Sequence, residues 1–238
     1  MALRDRIIFA LDVSTLTAAT VWIHKLGGLV GYFKVGMELF TATGPEVVTR
    51  LNNADIKCFL DLKFHDIPNT VAGAVRSATR LGVDMMTIHL SGGKAMAEAA
   101  MAAAAEEADR LGIKRPQIIG VSVLTSLGEN DIKELGWHTS MKEQVERLLR
   151  LAVLAGLDGM VCSAADLEFI RPQAPQDFLL ITPGIRPAGA ASGDQTRIAT
   201  PGAAIKAGAD LLVIGRPISE APDAREAVEK IAAEMAGA

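Results

Sequence analysis

Apolar residues along the chain gather into short runs at 7–11, 32–35, 58–62, 85–89, 118–123, 159–162, 178–182 and 211–214. Runs of this length, rich in branched and aromatic side chains and without strict alternation, read as strands buried on both faces. Between them the apolar spacing turns helical, at 17–26, 45–52, 69–81, 94–111, 141–155, 164–170, 201–207 and 221–236. Several of these helical stretches close on a glycine before the next strand: Gly82-Val83-Asp84, Gly112-Ile113, Gly156-Leu157-Asp158 and Gly208-Ala209-Asp210. A glycine in the left-handed conformation just past a helix end explains that punctuation.

Strands that alternate with helices pair in parallel through right-handed crossovers. Eight such units at roughly thirty residues each predict an α/β fold, a (β/α)₈ barrel, whose usual size is about 250 residues. The barrel is expected to take residues 1–238 as one domain, since no linker or change of composition divides the chain. A doubly wound open sheet is the alternative, and the missing Gly-x-Gly-x-x-Gly turn after the first strand weighs against it. The alanine-rich stretch 95–108 reads as a good helix former and nothing more.

Reactive groups of such barrels gather at the C-terminal strand ends. The third run opens there onto Asp61-Leu62-Lys63-Phe64-His65-Asp66-Ile67-Pro68-Asn69-Thr70. Strand alternation puts Asp61 and Lys63 on one face, about 6–7 Å apart along the chain. Asp66 lies past the strand end, in a loop free to reach elsewhere. A surface charge pattern is the plain alternative, but the apolar strand leading into it favours a site. Asp12 ends the first run, and Lys34 stands inside the second, where an unpaired ammonium would be costly. Those two alone could be a structural ion pair; four alternating charges at one barrel mouth argue for more.

The fourth run ends in His89-Leu90-Ser91, and Leu124-Thr125-Ser126 follows the fifth. After the seventh come Thr182-Pro183-Gly184-Ile185-Arg186-Pro187, a small-residue stretch at 188–193 and then Asp194-Gln195. Ile214-Gly215-Arg216-Pro217 closes the eighth. Loops in these two places commonly hold phosphate, with backbone N–H groups and an arginine that can grip two oxygens.

Composition narrows the picture by exclusion. Half the residues are hydrophobic, enough for a large core, and the net charge of -4 gives no support to a nucleic-acid-binding surface. Cys58 and Cys162 fall within apolar runs and read as free buried thiols of a reducing cytoplasm. The chain start lacks a signal-peptide pattern, and no stretch reaches the ~20 apolar residues of a membrane span, so a soluble cytoplasmic protein is expected. His24, His65, His89 and His138 show no metal-ligand spacing, and no Gly-x-Ser-x-Gly elbow occurs. No metal and no cofactor are expected; the role of His65 stays open.

The segments Phe-Ala-Leu-Asp, Phe-Lys-Val-Gly, Asp-Leu-Lys-Phe-His-Asp-Ile-Pro-Asn-Thr, Val-Leu-Thr-Ser, Val-Cys-Ser, Thr-Pro-Gly-Ile-Arg-Pro, Gly-Asp-Gln and Val-Ile-Gly-Arg-Pro occur in order between residues 7 and 217. Together they resemble the bacterial orotidine 5'-phosphate decarboxylase family. Asp-x-Lys-x-x-Asp is shared with a wider group of barrels, whereas Pro-Asn-Thr and Thr-Pro-Gly-Ile-Arg are more specific. The resemblance implies cofactor-independent decarboxylation of orotidine 5'-phosphate to UMP by a homodimer with shared active sites. By position, Lys63 would protonate C6 of the pyrimidine, with Asp61 beside the leaving CO₂. Asp66, Ile67 and Thr70 would enter from the partner subunit. Asp12 and Lys34 would hold the ribose, Thr125 would face the pyrimidine, and Arg186, Gln195, Gly215 and Arg216 would hold the phosphate, beneath a lid at 188–193. Two rivals remain on the same barrel: a metal-dependent sugar-phosphate decarboxylase or epimerase, and a non-catalytic phosphometabolite binder.

Overall fold

Eight parallel strands close into a barrel in sequence order, with β8 paired back onto β1. They are β1 (Ile7–Ala10), β2 (Tyr32–Gly36), β3 (Cys58–Phe64), β4 (Met85–His89), β5 (Gln117–Val121), β6 (Gly159–Val161), β7 (Leu179–Thr182) and β8 (Leu211–Ile214). All eight predicted strands are present, most shifted by a residue or two at an end. The computed structural model describes residues 2–187 and 199–237.

The strands are apolar on both faces because both faces are covered. Ile8, Phe59, Met85, Ile119, Ile181 and Leu211, from six different strands, pack together as the barrel interior. Full burial of such a side chain contributes about 1.5–3 kcal/mol. These residues make a buried apolar floor beneath the C-terminal strand ends. The larger core lies outside the strands, against the helices. There the alanine-rich helix Lys94–Leu111 buries Ala97, Ala100, Ala103, Ala104 and Ala108, and helix Pro68–Arg80 packs beside it. Small side chains let the two backbones approach. Their far ends are tied by Glu107, which accepts from Arg80 Nε at 2.7 Å and Arg110 Nη2 at 2.5 Å.

The four glycines predicted to stop helices, Gly82, Gly112, Gly156 and Gly208, all have positive φ. At Gly112, φ 64° and ψ 32°, the N–H donates back to Ala108 and Asp109 carbonyls, which is the left-handed cap. The last helix starts at Ala224, three residues later than its apolar pattern. Asp223 decides the start: its Oδ1 accepts from the N–H groups of Arg225 and Glu226 at 2.8 and 3.2 Å. Three helices are not legible as apolar periods, namely Met37–Thr43, Glu129–Glu134 and Arg216–Ser219. Each spans two turns or fewer, too short to show a face. Among the described residues, no helix is long and apolar enough to cross a membrane.

Candidate active site

The third strand does not end where its apolar run does. It continues through Lys63 to Phe64, but not as regular pleat. Leu60 pairs with Met86 and Phe64 with Ile88, so Asp61, Leu62 and Lys63 face the single residue Thr87 on β4. This is a bulge. Within it Lys63 has φ 51°, a left-handed conformation that costs a non-glycine residue about 1–3 kcal/mol. The simple alternation argument that puts Asp61 and Lys63 on one face therefore does not describe this segment. The backbone turns instead, and Lys63 Nζ comes to 2.9 Å from both Asp61 Oδ1 and Oδ2. A hydrogen bond to a charged group contributes about 1.5–3 kcal/mol, which offsets the backbone cost.

The other charges extend this pair into a line. Lys34 Nζ lies 3.7 Å from Asp61 Oδ2 and 3.2 Å from Asp12 Oδ1. The Lys34 ammonium, anomalous inside an apolar strand, thus has a carboxylate on either side. Exposure grades along the line: the Asp61 and Lys34 side chains are each 13% accessible and Asp12 is 63%. Gly36 permits the approach, since a Cβ there would stand 3.1 Å from Lys34 Nζ.

Two small cavities meet at these groups. One, of about 200 Å³, is lined by Lys34, Asp61, Lys63 and Thr125 with Phe59, Val123, Val161 and Val213. The other, of about 210 Å³, is lined by Asp12, Lys34, Gly36, Met37, Asp61 and Lys63. Together they offer an apolar slot beside a cation and a polar slot beside Asp12. Cys162 also lines the first slot. Burial pushes its thiol, and that of Cys58, far above the ordinary range, so neither is a thiolate nucleophile.

Not every expected residue converges here. Asp66 is exposed, and its Oδ1 accepts from the N–H of Ile67 at 2.6 Å. Ile67, 66% accessible, and Thr70 are exposed as well. Arg186 is buried and donates from Nη1 to the Ile185 carbonyl at 2.8 Å. Gly215 sits at the start of helix Arg216–Ser219, and a Cβ on it would lie 3.6 Å from Asp12 Oδ2. The end of β8 is therefore next to the Asp12 end of the charged line. Gln195 and the 188–193 stretch lie outside the described residues. The His65 ring stacks on His89 at 5.3 Å between centroids, and Ser91 Oγ is 2.7 Å from His89 Nδ1. Burial, then the charges of His65 and Lys63, lower the His89 pKa, which favours its neutral form.

Sequence reasoning missed Thr87. Its hydroxyl accepts from the Lys63 N–H at 2.8 Å and donates to Asp61 Oδ1 at 3.0 Å. The signal was present: Thr87 is a polar residue within the otherwise apolar start of Met-Met-Thr-Ile-His, as Lys34 is in its strand. Threonine is common in strands, so it does not stand out.

The profile of the Orotidine 5'-phosphate decarboxylase / HUMPS family matches residues 5–231, every strand of the barrel included. The chain belongs to this family. Curated relatives named orotidine 5'-phosphate decarboxylase include one from Moorella thermoacetica, 50% identical over 236 residues, which covers 99% of this chain and 94% of the relative. Another, from Syntrophotalea carbinolica, is 47% identical over 235 residues, covering 99% and 96%. Among solved structures, the orotidine 5'-phosphate decarboxylase of Lactobacillus acidophilus superposes with a TM-score of 0.85 at 35% identity, covering 96% of this chain and 97% of that one. The family match thus contains the charged line and both of its neighbouring strand ends.

Proposed function

We propose that the protein is an orotidine 5'-phosphate decarboxylase, converting orotidine 5'-phosphate to UMP and CO₂ in the cytoplasm without a cofactor. The observation that carries the reading is Lys63 Nζ, held by Asp61 at the rim of an apolar slot, in a chain this similar to named decarboxylases. The bond between C6 and the carboxylate breaks, CO₂ departs, and the electron pair stays on C6. Lys63 Nζ then gives a proton to C6, forming the C–H bond of UMP, and recovers a proton from solvent.

Such a reaction needs a cation in place before charge develops. The attraction of Lys63 for C6 grows as CO₂ leaves, so it stabilises the transition state more than the ground state. Asp61 fixes the ammonium and stands beside the leaving carboxylate. Asp12 and Lys34 hold the ribose hydroxyls, Thr125 faces the pyrimidine, and Arg186, Gln195, Gly215 and Arg216 hold the phosphate. The nearness of Gly215 to Asp12 supports this order, because a 5'-phosphate adjoins its own ribose. Binding energy gathered at the phosphate, remote from C6, is then available to hold the pyrimidine in place against Lys63.

The working unit is a homodimer in which Asp66, Ile67 and Thr70 complete the neighbour's site. Their exposure just past the end of β3 supports that assignment: the exposed Asp66 carboxylate accepts from the N–H of its neighbour Ile67, and a large apolar side chain is offered to solvent at Ile67.

The test is the fall in absorbance as purified protein consumes orotidine 5'-phosphate with EDTA present. Turnover unaffected by EDTA is expected. Activity lost on chelation and restored by Mg²⁺ would favour the metal-dependent rival, and no turnover in either condition would favour the binding barrel.

A further inference from the structure

We propose that Thr87 is the positioning residue that sets the Asp61–Lys63 geometry for decarboxylation. The proposal rests on the assignment of Asp61 and Lys63 made above, and it adds a buried residue that lines neither of the two cavities described.

Thr87 is the single residue of β4 opposite the three-residue bulge of β3. Its hydroxyl is fully buried and has one proton to give. The backbone N–H of Lys63 can only donate, so at 2.8 Å the hydroxyl must accept there. Its own proton is then left for Asp61 Oδ1 at 3.0 Å. The same Oδ1 receives Lys63 Nζ at 2.9 Å. A closed ring results: amide of Lys63 to Thr87, Thr87 to Asp61, Asp61 to the ammonium of Lys63. The ring fixes the main chain of the lysine and the carboxylate that holds its side chain with one group.

This accounts for a polar residue in a place where an apolar one would pack as well. Met85, Met86 and Ile88 around it are all buried. A valine would match the shape and suit the strand, and would bring no buried hydroxyl to satisfy. It would also leave the Lys63 N–H without an acceptor, in a residue whose left-handed φ needs support from its surroundings. The hydroxyl is thus explained by what it orients.

The experiment compares Thr87→Val, which keeps the shape and deletes both hydrogen bonds, with Thr87→Ser, which keeps the hydroxyl. Both are assayed on orotidine 5'-phosphate beside Lys63→Ala, with thermal midpoints measured for each. Misplacing a reacting group by about 1 Å can cost about 100-fold. The expected result for Thr87→Val is a kcat about 10- to 100-fold below wild type with KM changed less than about 3-fold, and for Thr87→Ser a kcat within about 3-fold of wild type. If the valine variant does not fold, Thr87→Ala takes its place with the same expectation. A Thr87→Val enzyme with a lower thermal midpoint and an unchanged kcat would overturn the proposal, leaving Thr87 a stability residue only. So would a serine variant as slow as the valine one, or a loss confined to KM. An active Lys63→Ala enzyme would instead overturn the assignment of the site itself, so the two failures are distinct.

Discussion

Lys63 and Asp61 are two residues apart in sequence, yet the ammonium of one lies 2.9 Å from both carboxylate oxygens of the other because the chain between them leaves the regular pleat. In a flat strand the same pair would stand parallel, about 6–7 Å apart at their backbones, and their contact would depend on two free side chains. The bulge removes that freedom. The cation is held before substrate arrives, which is what a reaction that develops charge at one carbon requires.

The phosphate assignment is tested at Arg216, which follows Gly215 at the end of β8. Loss of a hydrogen bond to a charged group costs about 1.5–3 kcal/mol. Arg216→Ala should therefore raise KM for orotidine 5'-phosphate about 10- to 100-fold. Slow turnover of the unphosphorylated nucleoside should hardly change. Equal losses on both substrates would remove Arg216 from the phosphate site.

The shared site is tested by mixing two inactive enzymes. If the sites are shared, Asp66→Ala and Lys63→Ala subunits allowed to exchange should form hybrids in which one of the two sites contains both native residues. With random pairing half the dimers are hybrids, so activity should return to about a quarter of wild type. No recovery, with exchange demonstrated by tagged subunits, would place Asp66 outside the partner's site.

Glu107 bears on stability alone. Hydrogen bonds from Arg110 first and Arg80 second hold its pKa down at about 2. A carboxylate lowered in the folded state adds stability that is complete above its ordinary pKa of 4.5 and is lost as pH falls toward about 2. Glu107→Gln should lower the thermal midpoint at pH 7 with kcat unchanged, and the gap from wild type should close as pH drops through that window. A gap that stayed constant with pH would mean the ion pairs are not its source.

How far the sequence could be read depended on whether a feature was local. The eight strands were legible because a buried barrel strand is an unbroken apolar run, and Lys34 was legible because a charge interrupts one. The glycine stops were legible because φ near +64° at Gly112 strongly favours that residue. The bulge was not, since it arises from the pairing of β3 with β4 and nothing in Asp-Leu-Lys marks it. Thr87 was hidden for the same reason: its partners are 24 and 26 residues away. Helix Met37–Thr43, seven residues between Gly36 and Gly44, is too brief to display a period.

The central claim is that Lys63 delivers the proton to C6, and it is tested most directly by kcat of Lys63→Ala on orotidine 5'-phosphate, with thermal midpoint and UMP binding measured on the same sample. A positioned general acid contributes about 10²–10⁴-fold, and a Lys63 cation that stabilises charge at C6 would add to that. A folded variant that still binds UMP and has lost at least about 10³-fold in kcat is the expected result. A folded Lys63→Ala enzyme that decarboxylates at the wild-type rate would contradict the account.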